Sequence, residues 1–531
     1  MQDDELPSSK PSPVACISCR GRHVKCDALI PACTRCRTNN IECHYIRSRR
    51  GLWKSKNISP QTPSEEDIAS STETDLDWLI TTAFPSEGSI DTTQNIPLVS
   101  DDALINLSEL ELVTPEVAYD PMVQLYYHNF HPSHPIMISR KALNTPLCYL
   151  IPSQIISIIR YIGAHYYPNT LLRESLRQAA FSFLSDPSLQ AGFRVQALLL
   201  VAIIEHSYCH DTSAHSLLHS ALDLALELGM NLSGFAREHS YGHSVLEEVW
   251  HRTYWELYTL NGLFAAMQGQ SLFRLYSQET SVQVPCSDKT YTYCNTHEML
   301  NDFGPKIASG QDFSSFAHRI NAVQILGAVL ELNRFLEADI ASRVEILDAQ
   351  ISSSLMALPP LYPDGYGSSC HDEMIFQAQM ILYLATIYLH HPHSSLRFAS
   401  ITTPSSTPCT QLNTISTADL VTSHPPPHLD LYSHKLLRAA DHLSSLASLP
   451  SAIHFRTPFF TCALAMCVAV HTAALLVTSD GNSSKKEPLK ARIQLGIGAL
   501  KALGRIWPLA EIVRRQMAGM YREIIEKDRV V

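Results

Sequence analysis

The chain divides into a small metal-folded N-terminal domain with two short helices and a large all-α domain, joined by an acidic linker. Three observations predict this. Six cysteines near the N-terminus, Cys16, Cys19, Cys26, Cys33, Cys36 and Cys43, write one spacing twice, C-x2-C-x6-C. Residues 57–120 contain no Lys or Arg but fourteen acidic residues. From about Tyr119 onward, apolar residues recur at helical spacing between helix start and stop signals.

The cysteines come first. Two separate tetrahedral thiolate sites would need eight sulfurs; six suffice when two sulfurs bridge both metals. The repeat therefore predicts one binuclear cluster. Each C-x2-C places two thiolates on one metal across a tight turn. The runs Arg20–Lys25 and Arg37–Glu42 each have the length of a short helix ending at the next ligand. So small a segment has no apolar core, and metal must supply the folding energy. Zinc suits sulfur, tetrahedral geometry and redox silence. Disulfides are disfavoured because no signal peptide precedes the cysteines.

Residues 14–51 resemble the fungal zinc binuclear cluster DNA-binding domain. All six cysteines match, as does Pro31 two residues before the fourth. The resemblance implies two zinc ions bridged by Cys16 and Cys33. One would be held by Cys16, Cys19, Cys26 and Cys33, the other by Cys16, Cys33, Cys36 and Cys43. It also implies double-stranded DNA as partner, with a short G/C-rich triplet read in the major groove by Arg22 and His23, and with Lys25 beside them. Arg and Lys donate to guanine N7 and O6, and His can donate to N7. Arg20, Arg35, Arg37, Arg49 and Arg50 suit phosphate contacts, which position without specifying.

Charge supports a polyanion partner. From Val14 to Lys56, ten Lys/Arg face only Asp27 and Glu42. Two zinc ions with six thiolates remove two further charges and leave about +6, which suits salt-dependent phosphate binding. The tract Arg47–Lys56 also reads as a nuclear import signal, so the expected location is the nucleus.

The remainder is acidic, for the whole chain carries a net charge of −11. Residues 1–13 read as a disordered tail, 14–56 as the zinc domain with its basic tail, and 57–118 as a disordered linker. Within the linker, Asp75–Ile80 followed by Phe84 mixes acids with bulky apolar residues. It reads either as an activation segment or as a short helix docked on the main domain. No sustained a/d heptad appears between residues 50 and 100, and Leu104–Val113 is too short for a zipper. DNA binding as a monomer and homodimerisation through the large domain both stay open.

Residues 119–531 read as the all-α domain. One helix runs to Leu228, with Thr212 or Ser213 as cap, Gly229 as stop, and Leu217, Ala221, Leu224, Ala225 and Leu228 on one face. The next opens on a capping box, Ser244-x-x-Glu247, with Leu246, Val249, Trp250, Thr253, Leu257, Leu260 and Phe264 on its apolar face. Further helices fit Phe193–Glu205, Ile320–Leu336, Met374–Leu389 and Pro488–Ile506, the last with proline at its start. Residues 391–430, rich in Pro, Ser, Thr and His, read as a loop insertion, and Gly481–Lys486 as a shorter loop.

From about Asp120 to its end the chain resembles the middle homology region of the same fungal regulators, most clearly over Ser216–Asp288. Leu228-Gly229, Glu247-Glu248, Arg252, Trp255, Tyr258, Pro285 and Asp288 match; Asn261 and Gly269-Gln270-Ser271 depart. The resemblance implies a regulatory domain that senses an effector or scaffolds co-regulators and the transcription machinery.

Other chemistries are weaker. Residues 459–478 are apolar enough for a membrane span, but His471 with several Thr and Ala reads as a buried core helix, so no membrane is expected. His206, Cys209 and His210 read as a satisfied helix-end cluster rather than a metal site. The eight other cysteines read as buried thiols. No P-loop, G-x-S-x-G or G-x-G-x-x-G occurs, and no enzyme is expected. The whole reads as a sequence-specific transcription factor for RNA polymerase II genes. Its layout is similar to pathway-specific activators of fungal secondary-metabolite gene clusters. Regulation of carbon or nitrogen catabolism is the alternative, as is a repressor or scaffold acting through the helical domain.

Overall fold

The computed structural model describes residues 18–19, 24–27, 32–39, 43, 116–270, 272–287, 291, 314–333, 340–361, 372–396, 430–478 and 483–530. They fall into two separate units, one within residues 1–88 and one within 89–531. Among the described residues there is no strand. The segment Asp75–Phe84, the linker up to residue 115 and residues 397–429 lie outside them.

The first unit contains α1, Thr34–Thr38. It starts at the residue after Cys33, not at Arg37 as the spacing suggests. The reason is a thiol cap: the Cys33 Sγ accepts the Cys36 N–H at 3.4 Å, and Cys33 itself has extended backbone. The second C-x2-C is thus the first turn of a helix. Asn39 ends it, its side-chain amide donating to the Arg35 carbonyl at 2.8 Å.

The second unit is helical throughout. Its helices are α2 (Glu116–Tyr119), α3 (Pro121–Asn129), α4 (Ser153–Gly163), α5 (Thr170–Phe181), α6 (Ala191–Ser207) and α7 (Asp211–Glu227). Then come α8 (Ser233–Glu238), α9 (Ser244–Met267), α10 (Ser315–Leu332), α11 (Ile340–Ala357) and α12 (Glu373–His390). The last four are α13 (Leu431–Ser445), α14 (Phe460–Val477), α15 (Ser483–Leu503) and α16 (Pro508–Val530). Chain neighbours pack on one another, α3 on α4, α6 on α7, α12 on α13 and α14 on α15; α10 packs most closely on α12. One apolar core runs through the unit from Ala118 to Met517.

Several local expectations are corrected. Asp211 begins α7, with His210 as its cap and no side-chain cap bond. Its buried stripe is Ala214, Leu218, Ala221, Leu222 and Ala225, while Leu217, Leu224 and Leu228 flank it half-buried. Gly229 does stop the helix, at φ +69°, a conformation only glycine adopts without strain. Ser244 is the first residue inside α9 rather than its cap, so no capping box forms. Asn333 caps α10 four residues earlier than the periodicity suggests. Residues 483–486 already belong to α15, so Pro488 lies inside that helix. There it is exposed, and it has no N–H to donate to the carbonyl four residues before it.

Among the described helices, α6, α9 and α14 are buried on nearly all sides. In α14, 89% of the apolar window is covered by protein, with a mean hydropathy of 2.1. It is long and apolar enough to cross a membrane, but here it packs on α13, α15 and α16 as a core helix. In α9, every residue from Val245 to Ala266 except Glu247 is buried, not one face alone. Its polar side chains must therefore find partners inside the protein.

Candidate metal centre and nucleic-acid interface

Among the described residues of the head, the buried side chains are Cys19, Cys33 and Cys36, with Val24, Cys26 and Cys43 against them. The sulfurs form two groups: Cys19, Cys26 and Cys33, and Cys33, Cys36 and Cys43, the sulfurs of each group lying within 4.8 Å of one another. Cys33 belongs to both. The Cys19 and Cys33 Sγ atoms, in one group, are 3.6 Å apart; Cys19 and Cys36, in different groups, are 4.0 Å apart. Four sulfurs around one zinc at its usual bond length lie about 3.8 Å apart. The thiolates therefore fit zinc, and the protein groups around them are donors: the Cys33 N–H points at the Cys43 Sγ at 3.3 Å.

One further side chain holds this frame, and the spacing did not point to it. Asp27 follows Cys26, and both its carboxylate oxygens lie 3.1 Å from the Thr34 N–H at the start of α1. It closes the loop between the third and fourth cysteines and opposes the positive end of the helix.

Of the basic residues expected on DNA, Lys25, Arg35 and Arg37 are exposed, Lys25 beside Cys26 and the two arginines on α1 around Cys36. Cys16, Arg20, Arg22, His23, Arg49 and Arg50 lie outside the described residues.

In the helical unit, the motif residues of α9 form buried charge clusters. The Arg252 guanidinium donates to Glu248 at 2.7 Å and to the Cys286 carbonyl at 3.1 Å, beneath the Tyr291 ring. The Cys286 N–H returns to Glu248 at 3.0 Å. Trp255 donates its indole N–H to the Gln283 carbonyl, and the Asn261 side-chain oxygen accepts from the Leu275 N–H. The segment around Pro285 is thus strapped along α9. Sequence reasoning missed a second cluster. Glu256 accepts from Arg319 of α10 at 2.6 Å and pairs with His134 at 2.7 Å, all three fully buried. Burial alone would raise the Glu256 carboxyl; Arg319 and His134 outweigh it and hold it at about 2. Arg319 also bonds Gln377 of α12, which donates to the Ser133 carbonyl. The available signal was a lone arginine inside the apolar run of α10.

The His206, Cys209 and His210 turn is a helix end: Cys209 has φ +62°, and His210 pairs with Glu205 at 3.1 Å.

Comparison with known proteins agrees with both units. Residues 14–52 match the fungal Zn(2)-Cys(6) binuclear cluster domain, and residues 123–359 match the fungal specific transcription factor domain. A C6 finger domain transcription factor of Pestalotiopsis fici, iacK, is 26% identical over 556 residues, covering 96% of this chain and 80% of the relative. An uncharacterised transcriptional regulatory protein of Schizosaccharomyces pombe is 24% identical over 312 residues, covering 52% of this chain and 42% of the relative. No solved structure matches. With two thiolate groups sharing one sulfur, a basic surface beside them and both domain families matched, the chain is a fungal zinc binuclear cluster transcription factor, whose head binds two zinc ions through six cysteines and belongs to a DNA-binding family.

Proposed function

We propose that this chain acts in the nucleus as a pathway-specific activator of RNA polymerase II genes, those of a secondary-metabolite gene cluster, and reads G/C-rich triplets. Cys33 carries the reading, because its place in both sulfur groups is what a binuclear cluster requires. Cys16, as second bridge, supplies the fourth ligand to each group. Arg22 and His23 read the bases with Lys25, and Arg20, Arg35, Arg37, Arg49 and Arg50 hold phosphates. The exposure of Lys25, Arg35 and Arg37 supports that assignment. The activator role is supported by the acidic, apolar-studded run Asp75–Phe84 and by the zipper-free linker. The domain boundaries follow the composition: zinc head 14–56, linker 57–118, helical regulatory domain 119–531.

A random-library DNA selection with the zinc-loaded full chain tests this. Enrichment of G/C-rich triplets supports it, and a fixed spacing between two triplets would add dimerisation. No enrichment by a zinc-loaded chain would refute sequence-specific reading. Deleting residues 57–115 should then abolish reporter activation while leaving DNA binding intact.

A further inference from the structure

A second cysteine chemistry lies in the helical unit, apart from the zinc head. Cys462, at the start of α14, lines an apolar groove with Leu263, Ala266 and Met267 of α9, Met380, Leu384 and Tyr388 of α12, and Phe459. The cavity measures about 20 Å³, enough for about one water molecule, so an organic ligand enters only as its walls move aside. Met267, half-buried, and Met380 are flexible walls that can make way.

Behind the groove, the Cys462 Sγ lies 3.7 Å from His206 Nε2. His206 is buried and stacked face to face on Phe459, ring centroids 4.8 Å apart. Its other nitrogen, Nδ1, lies 3.6 Å from the Asp211 carboxylate. Thiol, imidazole and carboxylate stand in order, with no hydrogen bond between the last two; the carboxylate charge favours the imidazolium that forms when the sulfur gives its proton to the ring. Cys148 and Cys467, the other buried thiols among the described residues of this unit, have no histidine in this position. Burial pushes Cys148 up to about 11 and pushes Cys467, one and a half turns along α14, still higher.

We infer that Cys462 is a covalent modification site for small apolar α,β-unsaturated carbonyl compounds, with His206 as the base. His206 Nε2 takes the thiol proton as the sulfur electron pair forms a C–S bond to the β-carbon. The C=C π pair moves toward the carbonyl, and the resulting enolate takes the proton back from His206 at its α-carbon. The product is a thioether, and no other reactant is consumed. The apolar lining selects a neutral ligand, and the small space selects a compact one. The adduct would wedge between α9, α12 and α14 and so perturb the regulatory domain. This site stands independently of the DNA-reading proposal.

The test is timed labelling of the zinc-loaded full chain with 2-cyclohexen-1-one, read by peptide mass mapping. The Cys462 adduct should form at least about tenfold faster than adducts at Cys467 and Cys148. His206→Phe keeps the ring stack but removes the base, and should slow Cys462 about tenfold or more with Cys286 unchanged. If that variant unfolds, Cys467 will label rapidly and report it; Asp211→Asn, at the half-exposed start of α7, then decides, with a slowing of about threefold expected. Wild-type Cys462 labelling no faster than Cys467 would overturn the inference. So would an unchanged Cys462 rate in a folded His206→Phe protein, or in Asp211→Asn where that variant decides.

Discussion

Replacing Arg319 by Met should destabilise the helical unit, and by more at pH 7.5 than at pH 5. Both Arg319 and Glu256 are fully buried, and their charges meet at 2.6 Å. The substitution removes a guanidinium that also bonds Gln377 and lies over the Phe316 ring, 4.8 Å from its centroid. It leaves the Glu256 carboxylate facing only His134. Breaking one partner out of a buried pair costs about 3–5 kcal/mol. In the wild type the Glu256 carboxyl is held below its unfolded value, so it stabilises above the unfolded pKa and that contribution is lost as pH falls through about 2. In the variant the burial penalty on Glu256 loses its largest offset, and the Glu256 carboxyl takes up a proton more readily in the folded state than in the unfolded chain. A folded pKa raised above the unfolded one means stability that is present at low pH and lost as pH rises. The deficit should therefore shrink on going from pH 7.5 to pH 5. Urea titration of the helical far-UV signal at the two pH values measures it. A loss under about 1 kcal/mol, or an equal loss at both pH values, would refute the reasoning. Adding Glu256→Gln to Arg319→Met should recover part of the loss.

Three further outcomes follow from other parts of the structure. Burial pushes His165 down to about 4, despite its hydrogen bond to the Tyr161 carbonyl; the unfolded chain therefore binds the proton first, and stability should fall by up to about 3 kcal/mol as pH drops from about 6.5 to 4. His165→Phe should flatten the melting temperature across that window; an unchanged slope would contradict it. Gly163→Ala would drive a methyl group into the Met122 backbone where α4 crosses α3, and should cost about 3 kcal/mol or more in urea denaturation. Arg35→Gln and Arg37→Gln should each weaken DNA binding about equally for all sequences and reduce the salt slope by roughly one; a change of preferred triplet would instead make either a base-reading residue.

The cysteine frame and most helices were legible because their signals are local. A six-residue gap or an i, i+4 stripe needs no distant partner. The misses all involve partners that the local pattern does not name. Helix start signals misled at two places: the Cys33 sulfur caps α1 and starts it earlier than Arg37, and Ser244 falls inside α9, whose cap position is held by His243 with no side-chain cap bond. In α9, Glu248, Arg252 and Glu256 lie off the apolar face that the pattern names, yet they are buried, and the partners of Glu256 are distant in sequence: Arg319 lies 63 residues on and His134 122 residues before. Likewise His206 stands near Cys209 in sequence but meets Cys462 across 256 residues.

Native mass spectrometry of the folded chain, counting bound zinc, tests most directly that one cluster shares the Cys33 sulfur. The wild type should carry two zinc ions per chain. Cys33→Ser and Cys16→Ser should lose both, while Cys19→Ser and Cys43→Ser should each keep a larger fraction. A wild type that carries one zinc ion, or equal zinc loss in all four variants, would contradict the shared-sulfur cluster.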